Sequence, residues 1–258
     1  MDTLLINRKE GIGNRFEITG TGLKLIAILT MFVDHFALGP LASWIIENTP
    51  SMSADTYASY YTFYHVLRGI GRMSFPIYCY LLVEGVDHTR NIKKYAVRIL
   101  TVALLSEIPF DYLFYGRFFY WYHNNVLWVL LLGLICLHLY SLVEKYEASL
   151  ALKMVIMCVG MAVAHFTFVD YGEAGICCIC LISILNGEDF RTRIIAFMAG
   201  VGALAVLSSS IELLAMAMVI PIALYRGERG RDSRLLRTFF YLFYPLHLCL
   251  LILVDYCI

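Results

Sequence analysis

Apolar segments long enough to cross a lipid bilayer recur along the whole chain and restrict what it can fold into. A helix that rises about 1.5 Å per residue needs about 20 apolar residues to cross the hydrocarbon core. Segments 174–185, 194–208 and 213–225 are short, so each could be a half-span, a re-entrant segment or a helix in a locally thinned bilayer. The nine candidate segments are 23–46, 61–83, 95–115, 126–143, 152–169, 174–185, 194–208, 213–225 and 239–256.

The composition excludes other classes of protein. Hydrophobic residues make up 60% of the chain and charged residues 16%, whereas an average soluble domain has about 45–50% and about 25%. Such a chain cannot build a polar surface, and it is too apolar to be disordered. A formal net charge of +0 lacks the basic excess of nucleic-acid-binding proteins. We therefore predict an all-α integral membrane protein, a polytopic bundle of about nine transmembrane helices with the lipid bilayer as a partner.

The distribution of basic residues predicts the orientation, since cytoplasmic loops are enriched in Lys and Arg. With a cytoplasmic N-terminus and nine crossings, all but three of the 20 basic residues fall on the cytoplasmic side of the cell membrane. The exceptions are Arg117 in an outer loop and Arg68 and Arg72 inside the second segment. This predicts a cytoplasmic N-terminal segment (1–22), a single transmembrane domain (23–258) and a C-terminus outside.

Asp34 and His35 lie near the middle of the first segment, where an ionisable residue costs about 2.5–3.5 kcal/mol and indicates a functional site. A histidine can accept a proton at neutral pH, and a carboxylate can orient it or stabilise its charged form. The pair is therefore a candidate for acid–base catalysis. The alternative is an internal polar contact that only holds helices together.

Arg68 and Arg72 form an R-x-x-x-R pattern in the second segment. Residues four apart lie on one helix face, one turn from each other. Two guanidinium groups there need an anion, which could be a ligand phosphate, a polarised carbonyl or an internal carboxylate such as Asp34, Glu84, Glu107 or Asp111. An internal salt-bridge network is thus the alternative to a ligand site.

Other polar residues could line the same cavity, namely Glu84, Asn124, Asp170, Tyr244 and His247. The eight cysteines lie in or at the apolar segments, where they are most simply small apolar residues. Their spacing does not favour metal ligands, so we expect no metal site.

Five segments, spread over the chain in family order, resemble the TraX family. They are LKLIAILTMFVDHFA (23–37), GRMSFPIYCYLLVEGVDHTRNIKKYAVRIL (71–100), SEIPFD (106–111), DYGEAGI (170–176) and FFYLFYPLHL (239–248). That family is named for a conjugative-pilus protein that acetylates the N-terminus of pilin. It is grouped with the acyltransferase type three superfamily, whose members carry a catalytic histidine in the first span and an R-x-x-x-R motif associated with the acyl donor.

The resemblance implies a fold like the acyltransferase type three proteins and a multi-pass membrane acyltransferase. Acetyl would pass from acetyl-CoA to an amine or hydroxyl of a pilin-like peptide, a glycan or another envelope component. His35 matches the catalytic histidine, with Asp34 tuning it or holding helix packing, and Arg68 with Arg72 matches the donor motif. The first span departs from the superfamily, because Gly22-Leu23-Lys24 stands where an Arg-Gly pair is typical.

Two other functions are compatible with buried ionisable residues. Histidine, aspartate and arginine also suit a small-molecule or proton-coupled transporter, and short spans suit its discontinuous helices. A structural subunit for membrane assembly is the third hypothesis.

Overall fold

The computed structural model describes residues 17–187, 189–231 and 233–258. Residues 1–16 of the predicted cytoplasmic segment therefore lie outside the described residues. Within the described ranges the chain forms eleven α-helices: α1 (Gly20–Phe36), α2 (Ala42–Asn48), α3 (Ala54–Gly71), α4 (Ser74–Asp87), α5 (Ile92–Tyr115), α6 (Val126–Val143), α7 (Ser149–Phe166), α8 (Gly172–Leu185), α9 (Phe190–Leu207), α10 (Val219–Leu224) and α11 (Arg234–Cys257).

Every predicted apolar segment lies largely within helical structure, so the prediction of a helical membrane protein is confirmed. Two apolar helical stretches, Gly172–Leu185 and Ser210–Leu224, are shorter than a full span. The nine full crossings and the orientation of the termini stay predictions. Five stretches in the described part are long and apolar enough to cross a membrane: Gly20–Ser51, Val126–Val143, Ser149–Phe166, Phe190–Leu207 and Arg234–Cys257.

The second predicted segment, 61–83, is two helices rather than one. α3 ends at Gly71 and α4 begins at Ser74. The chain tightens between them, because the Met73 N–H donates to the Ile70 carbonyl at 3.2 Å, a contact three residues back. The Ser74 hydroxyl then donates to the Ala27 carbonyl of α1 at 2.9 Å. The break therefore lies inside the bundle and is attached to α1.

The first helix changes its winding directly after the polar pair of α1. A five-residue π-helical turn, Ala37–Leu41, joins α1 to α2 and contains Pro40. Proline has no N–H to donate within a helix, so the regular hydrogen-bond ladder is interrupted here. His35 therefore lies on the last regular turn before a local widening of the helix.

The short helix α8 is the centre of the bundle. It packs against α4, α6, α7 and α9, and Ile176, Cys178, Ile179 and Ile182 are completely buried. The surrounding helices bury most of the apolar side chains of α8, so these side chains do not require contact with lipid. This explains why segment 174–185 is apolar throughout but too short for a full span.

α1 and α3 approach closely because Gly71 has no side chain. A Cβ at this position would collide with the Cβ and carboxylate of Asp34. Small residues at such crossings are typical of helix packing in membranes. By contrast, a Cβ at Gly202 in α9 would meet nothing within 4 Å.

We expect Gly71→Ala to lower the free energy of unfolding by about 1–3 kcal/mol, the usual effect of overpacking. The added methyl would push Asp34 away from its partners. Gly202→Ala is the matched control and should be neutral or stabilising by up to about 1 kcal/mol, since alanine favours helix. Unfolding of the two purified variants in detergent measures the difference, and an equal effect at both sites would contradict the close packing of α1 and α3.

Candidate functional site

A cavity of about 690 Å³ runs between α1, α3, α4, α5 and α11. This volume is within the usual range of ligand-binding pockets, about 300–1,000 Å³. One end is lined by the start of α1, the α4–α5 connection and the 225–231 loop, and the other end by Tyr115, His123 and Asp170. The cavity lining includes most of the predicted site residues: Asp34, His35, Arg68, Arg72, Glu84, Asp170 and Tyr244.

Asp34 lies between the two arginines at the middle of this cavity. Arg68 Nη1 donates to Asp34 Oδ2 at 2.6 Å, and Arg72 Nη2 donates to both Asp34 oxygens at 3.0 and 2.9 Å. Only 8% of Asp34 is exposed. The sequence therefore predicted correctly that the arginines face one side of their helix, and the structure shows that Asp34 faces them from α1.

A second carboxylate completes the charge balance. Arg72 Nη1 donates to Glu212 Oε1 at 3.1 Å, and Glu212 is 1% exposed. It lies in a 3₁₀ helix, Ser210–Met218, between α9 and α10. Two guanidinium groups thus face two carboxylates. Of the two alternatives for the arginine pattern, an internal ion-pair network is present, although both arginines also line the cavity.

Sequence reasoning missed Glu212, which directly precedes the predicted segment 213–225. A carboxylate at the border of an apolar segment indicates a candidate site residue, but its position in the sequence does not predict which helix the side chain will face. The 3₁₀ winding and its packing against α3 bring Glu212 to Arg72. That pairing depends on tertiary structure alone.

His35 contacts α11 rather than Asp34. Its Nδ1 is 2.7 Å from Nε2 of His247, and Nδ1 of His247 is 2.9 Å from the Phe243 carbonyl oxygen. Adjacent residues on a helix point about 100° apart, so Asp34 binds the arginines while His35 binds His247. In this geometry Asp34 pairs with the arginines, and the hydrogen-bond partner of His35 is His247. The catalytic roles of Asp34 and His35 stay predictions.

The basic end of the cavity is formed by residues from three parts of the chain. The Thr21 hydroxyl shares its one hydrogen between the carbonyls of Arg229 and Arg231, at 2.9 and 3.0 Å, and so attaches the 229–231 loop to the start of α1. Glu84 is a carboxylate at the same end and accepts from the Tyr225 hydroxyl at 3.4 Å. Cationic side chains dominate there: Lys24, Arg98, Arg229, Arg231 and Arg237.

The opposite end carries an acidic partner for a histidine. His123 Nε2 is 3.4 Å from Asp170 Oδ1, and this nearby carboxylate raises the pKa of His123 above its usual value. Asn124 does not line the cavity. Its side-chain amide donates to the Thr167 carbonyl at 2.8 Å. Asn124 therefore joins the loop before α6 to the loop before α8, which contains Asp170.

The family of the chain follows from comparison with known proteins. The family model described as TraX protein matches residues 19–255. The chain belongs to the TraX family. It is also 28% identical over 250 residues to the "Probable fimbrial assembly protein FimC, serogroup H1" of Dichelobacter nodosus, which covers 89% of this chain and 92% of that relative. No solved structure matches the chain.

The resemblance of the five sequence segments to TraX is thereby confirmed at the level of the family. In this TraX-family chain, no group of three or more His, Cys, Asp or Glu side chains in the described ranges is placed to hold a metal ion. The polar chemistry of its cavity is instead that of histidine, arginine and carboxylate. Catalysis, donor binding and the acceptor stay predictions.

We expect Asp34→Asn to destabilise this TraX-family protein by about 3–5 kcal/mol, because removing one partner of a buried ion pair leaves an uncompensated charge. Adding Arg68→Gln to Asp34→Asn removes one positive charge and should recover part of this loss. Asp55→Asn, at the exposed start of α3, is the control and should cost less than about 1 kcal/mol. Thermal unfolding in detergent measures all three, and no recovery in the double variant would contradict a charge-balanced network.

Proposed function

We propose that this TraX-family protein is a membrane acetyltransferase that uses acetyl-CoA as donor. The observation that carries the proposal is a continuous cavity with a cationic end and with His35, Arg68 and Arg72 at its middle. A cationic end suits the phosphate groups of CoA, and the middle suits transfer of an acyl group. The proposal includes a cell-membrane location with the cationic end on the cytoplasmic side, where acyl-CoA is found.

The dimensions of the cavity support an acyl-CoA donor. Lys24 and His35 both line it and both belong to α1, so the cationic end and the histidine are about 16 Å apart along the helix. The extended pantetheine arm of CoA can span such a distance. Apolar side chains such as Tyr78, Ile99 and Val102 form the wall between them. They would hold the arm and leave the thioester next to His35.

The groups at the middle of the cavity can carry out acyl transfer. His35 would act as general base and take the proton from an acceptor amine or hydroxyl as it attacks the thioester carbonyl. Arg68 uses one N–H for Asp34 among the five that a guanidinium has. Its other N–H groups could stabilise the oxyanion that develops on the carbonyl oxygen. The CoA thiolate would then leave and take up the proton.

The proposed acceptor is an amine or hydroxyl of an envelope component that enters from the end lined by Tyr115, His123 and Asp170. The name of the Dichelobacter nodosus relative refers to fimbrial assembly, which makes a pilin-like peptide the first acceptor to test. Aromatic and acidic side chains at this end could contact a peptide chain.

We expect His35→Gln to lower acetyl transfer by about 10²–10⁴-fold, the usual contribution of a general base. Protein in lipid nanodiscs would receive [¹⁴C]acetyl-CoA and an envelope fraction from a strain that lacks the gene, and the label transferred to that fraction is counted. His138→Gln is the matched control, since His138 lies in α6 and outside the cavity lining. Acetyl transfer by the wild type that only equals that of His35→Gln would contradict the proposal. Uptake of a small molecule into proteoliposomes without acetyl transfer would contradict it and favour a transporter.

We expect Arg229→Gln combined with Arg231→Gln to raise KM for acetyl-CoA by about tenfold or more. A hydrogen bond to a charged group contributes about 1.5–3 kcal/mol, and 1.4 kcal/mol corresponds to a factor of ten. KM for S-acetylpantetheine, which has no phosphate group, should not change. Arg226→Gln is the control in the same loop, because Arg226 pairs with Glu17 at 3.1 Å. An equal rise in KM for both donors would contradict phosphate binding at this end.

A further inference from the structure

The rings of His35 and His247 meet edge to edge beside the cavity. Their planes differ by 13° and their centroids are 5.0 Å apart, while the nearest nitrogens are separated by only 2.7 Å. The rings are therefore almost coplanar and meet through these nitrogens. This is the geometry of an N–H···N hydrogen bond, with one ring as donor and the other as acceptor.

The direction of this hydrogen bond follows from the Phe243 carbonyl. A carbonyl oxygen only accepts, so Nδ1 of His247, 2.9 Å away, must carry a hydrogen. In a neutral imidazole one nitrogen donates and the other accepts, which makes Nε2 of His247 an acceptor. Nδ1 of His35 must then be the donor. The remaining nitrogen of His35, Nε2, keeps its lone pair.

The two histidines differ in what they can reach. His35 lines the cavity, whereas His247 is absent from its lining and is 3% exposed. The rings of Phe114 and Tyr244 pack against His35 at 71° and 73°, with centroids 5.4 and 5.9 Å away. His35 is thus held from three sides, and His247 can act on a reaction in the cavity only through His35.

We propose that His247 is a positioning residue that holds His35 in the Nδ1–H tautomer and so makes Nε2 the proton-accepting atom. This inference rests on the proposed acetyl transfer. Nε2 takes the proton of the acceptor as its nitrogen or oxygen bonds to the thioester carbon. The C–S bond breaks, its electron pair stays on sulfur, and the proton passes from Nε2 to the CoA thiolate.

A neutral histidine suits this role inside a membrane protein. A hydrogen bond becomes stronger when its donor is ionised, so Nε2 of His247 would stabilise the imidazolium that His35 forms during transfer. A carboxylate in the same place would add a charge to the membrane interior, where charges are costly. The two carboxylates near the cavity centre, Asp34 and Glu212, already pair with arginines.

The tautomers can be tested without any activity. Protein labelled with [¹⁵N]histidine, in nanodiscs, would be examined by solid-state NMR, with resonances assigned through His35→Gln and His247→Gln. We expect a protonated Nδ1 and a bare Nε2 in His35, with a scalar coupling to Nε2 of His247 through the hydrogen bond. A hydrogen on Nε2 of His35, or no coupling, would overturn the inference. An inactive wild type would overturn only the proposed function, so the two failures are distinguishable.

The positioning role is tested by a matched pair of substitutions in the acetyl-transfer assay. Gln and Met have similar length, but only the Gln side chain offers a strong oxygen acceptor where Nε2 of His247 lies. We expect His247→Met to lower kcat about 10²-fold or more with KM for acetyl-CoA unchanged, and His247→Gln to stay within about tenfold of wild type, since a wrong tautomer mainly affects kcat. In a His35→Gln background, His247→Met should cause no further loss. Equal losses of kcat for His247→Met and His247→Gln would overturn the positioning role of His247, as would an additional loss in the His35→Gln background. Thermal unfolding of each variant shows whether a loss of kcat comes from misfolding.

Discussion

Inside the bundle, two guanidinium groups pair with two carboxylates, and this pairing constrains how three helical elements pack. An unpaired charge in the membrane interior is costly, so Asp34 and Glu212 must lie where Arg68 and Arg72 can reach them. That requirement brings together α1, α3 and the 3₁₀ helix Ser210–Met218. It also explains why residue 71 is a glycine, because any side chain there would collide with the Asp34 carboxylate.

The same pairing also leaves two adjacent residues of α1 facing different helices. Asp34 accepts hydrogen bonds from α3, whereas its neighbour His35 points towards α11 and forms a hydrogen bond with His247. Because Arg68 and Arg72 pair with carboxylates, the excess of cationic side chains in the cavity lining lies at the end that contains Lys24 and Arg229. In the proposed acetyl transfer, the phosphate groups of acetyl-CoA would bind at that end, and the acetyl group would reach the paired charges.

The candidate site was only partly predictable from the sequence. Asp34, His35, Arg68 and Arg72 stood out because a charge inside an apolar segment is recognisable locally, from the residue and its neighbours. Their pairing was not predictable, since Arg72 and Glu212 are 140 residues apart and His35 and His247 are 212 residues apart. The break between α3 and α4 was also missed, because the hydropathy of segment 61–83 continues through it. At the break, Pro76 has no N–H to donate to the Arg72 carbonyl four residues back, and Ser74 and Arg72 contact Ala27 and Asp34 of α1.

Hydropathy and charge belong to the residues themselves, so the amino-acid sequence is enough to identify a helical membrane protein of the TraX family, most of its apolar helices and the ionisable residues Asp34, His35, Arg68 and Arg72. Three features became visible in the packed bundle: α8 is buried by other helices, Glu212 completes the ion pairs, and His247 rather than Asp34 contacts His35. They depend on helices that are remote in the sequence and that must pack so that buried charges and hydrogen-bonding groups have partners.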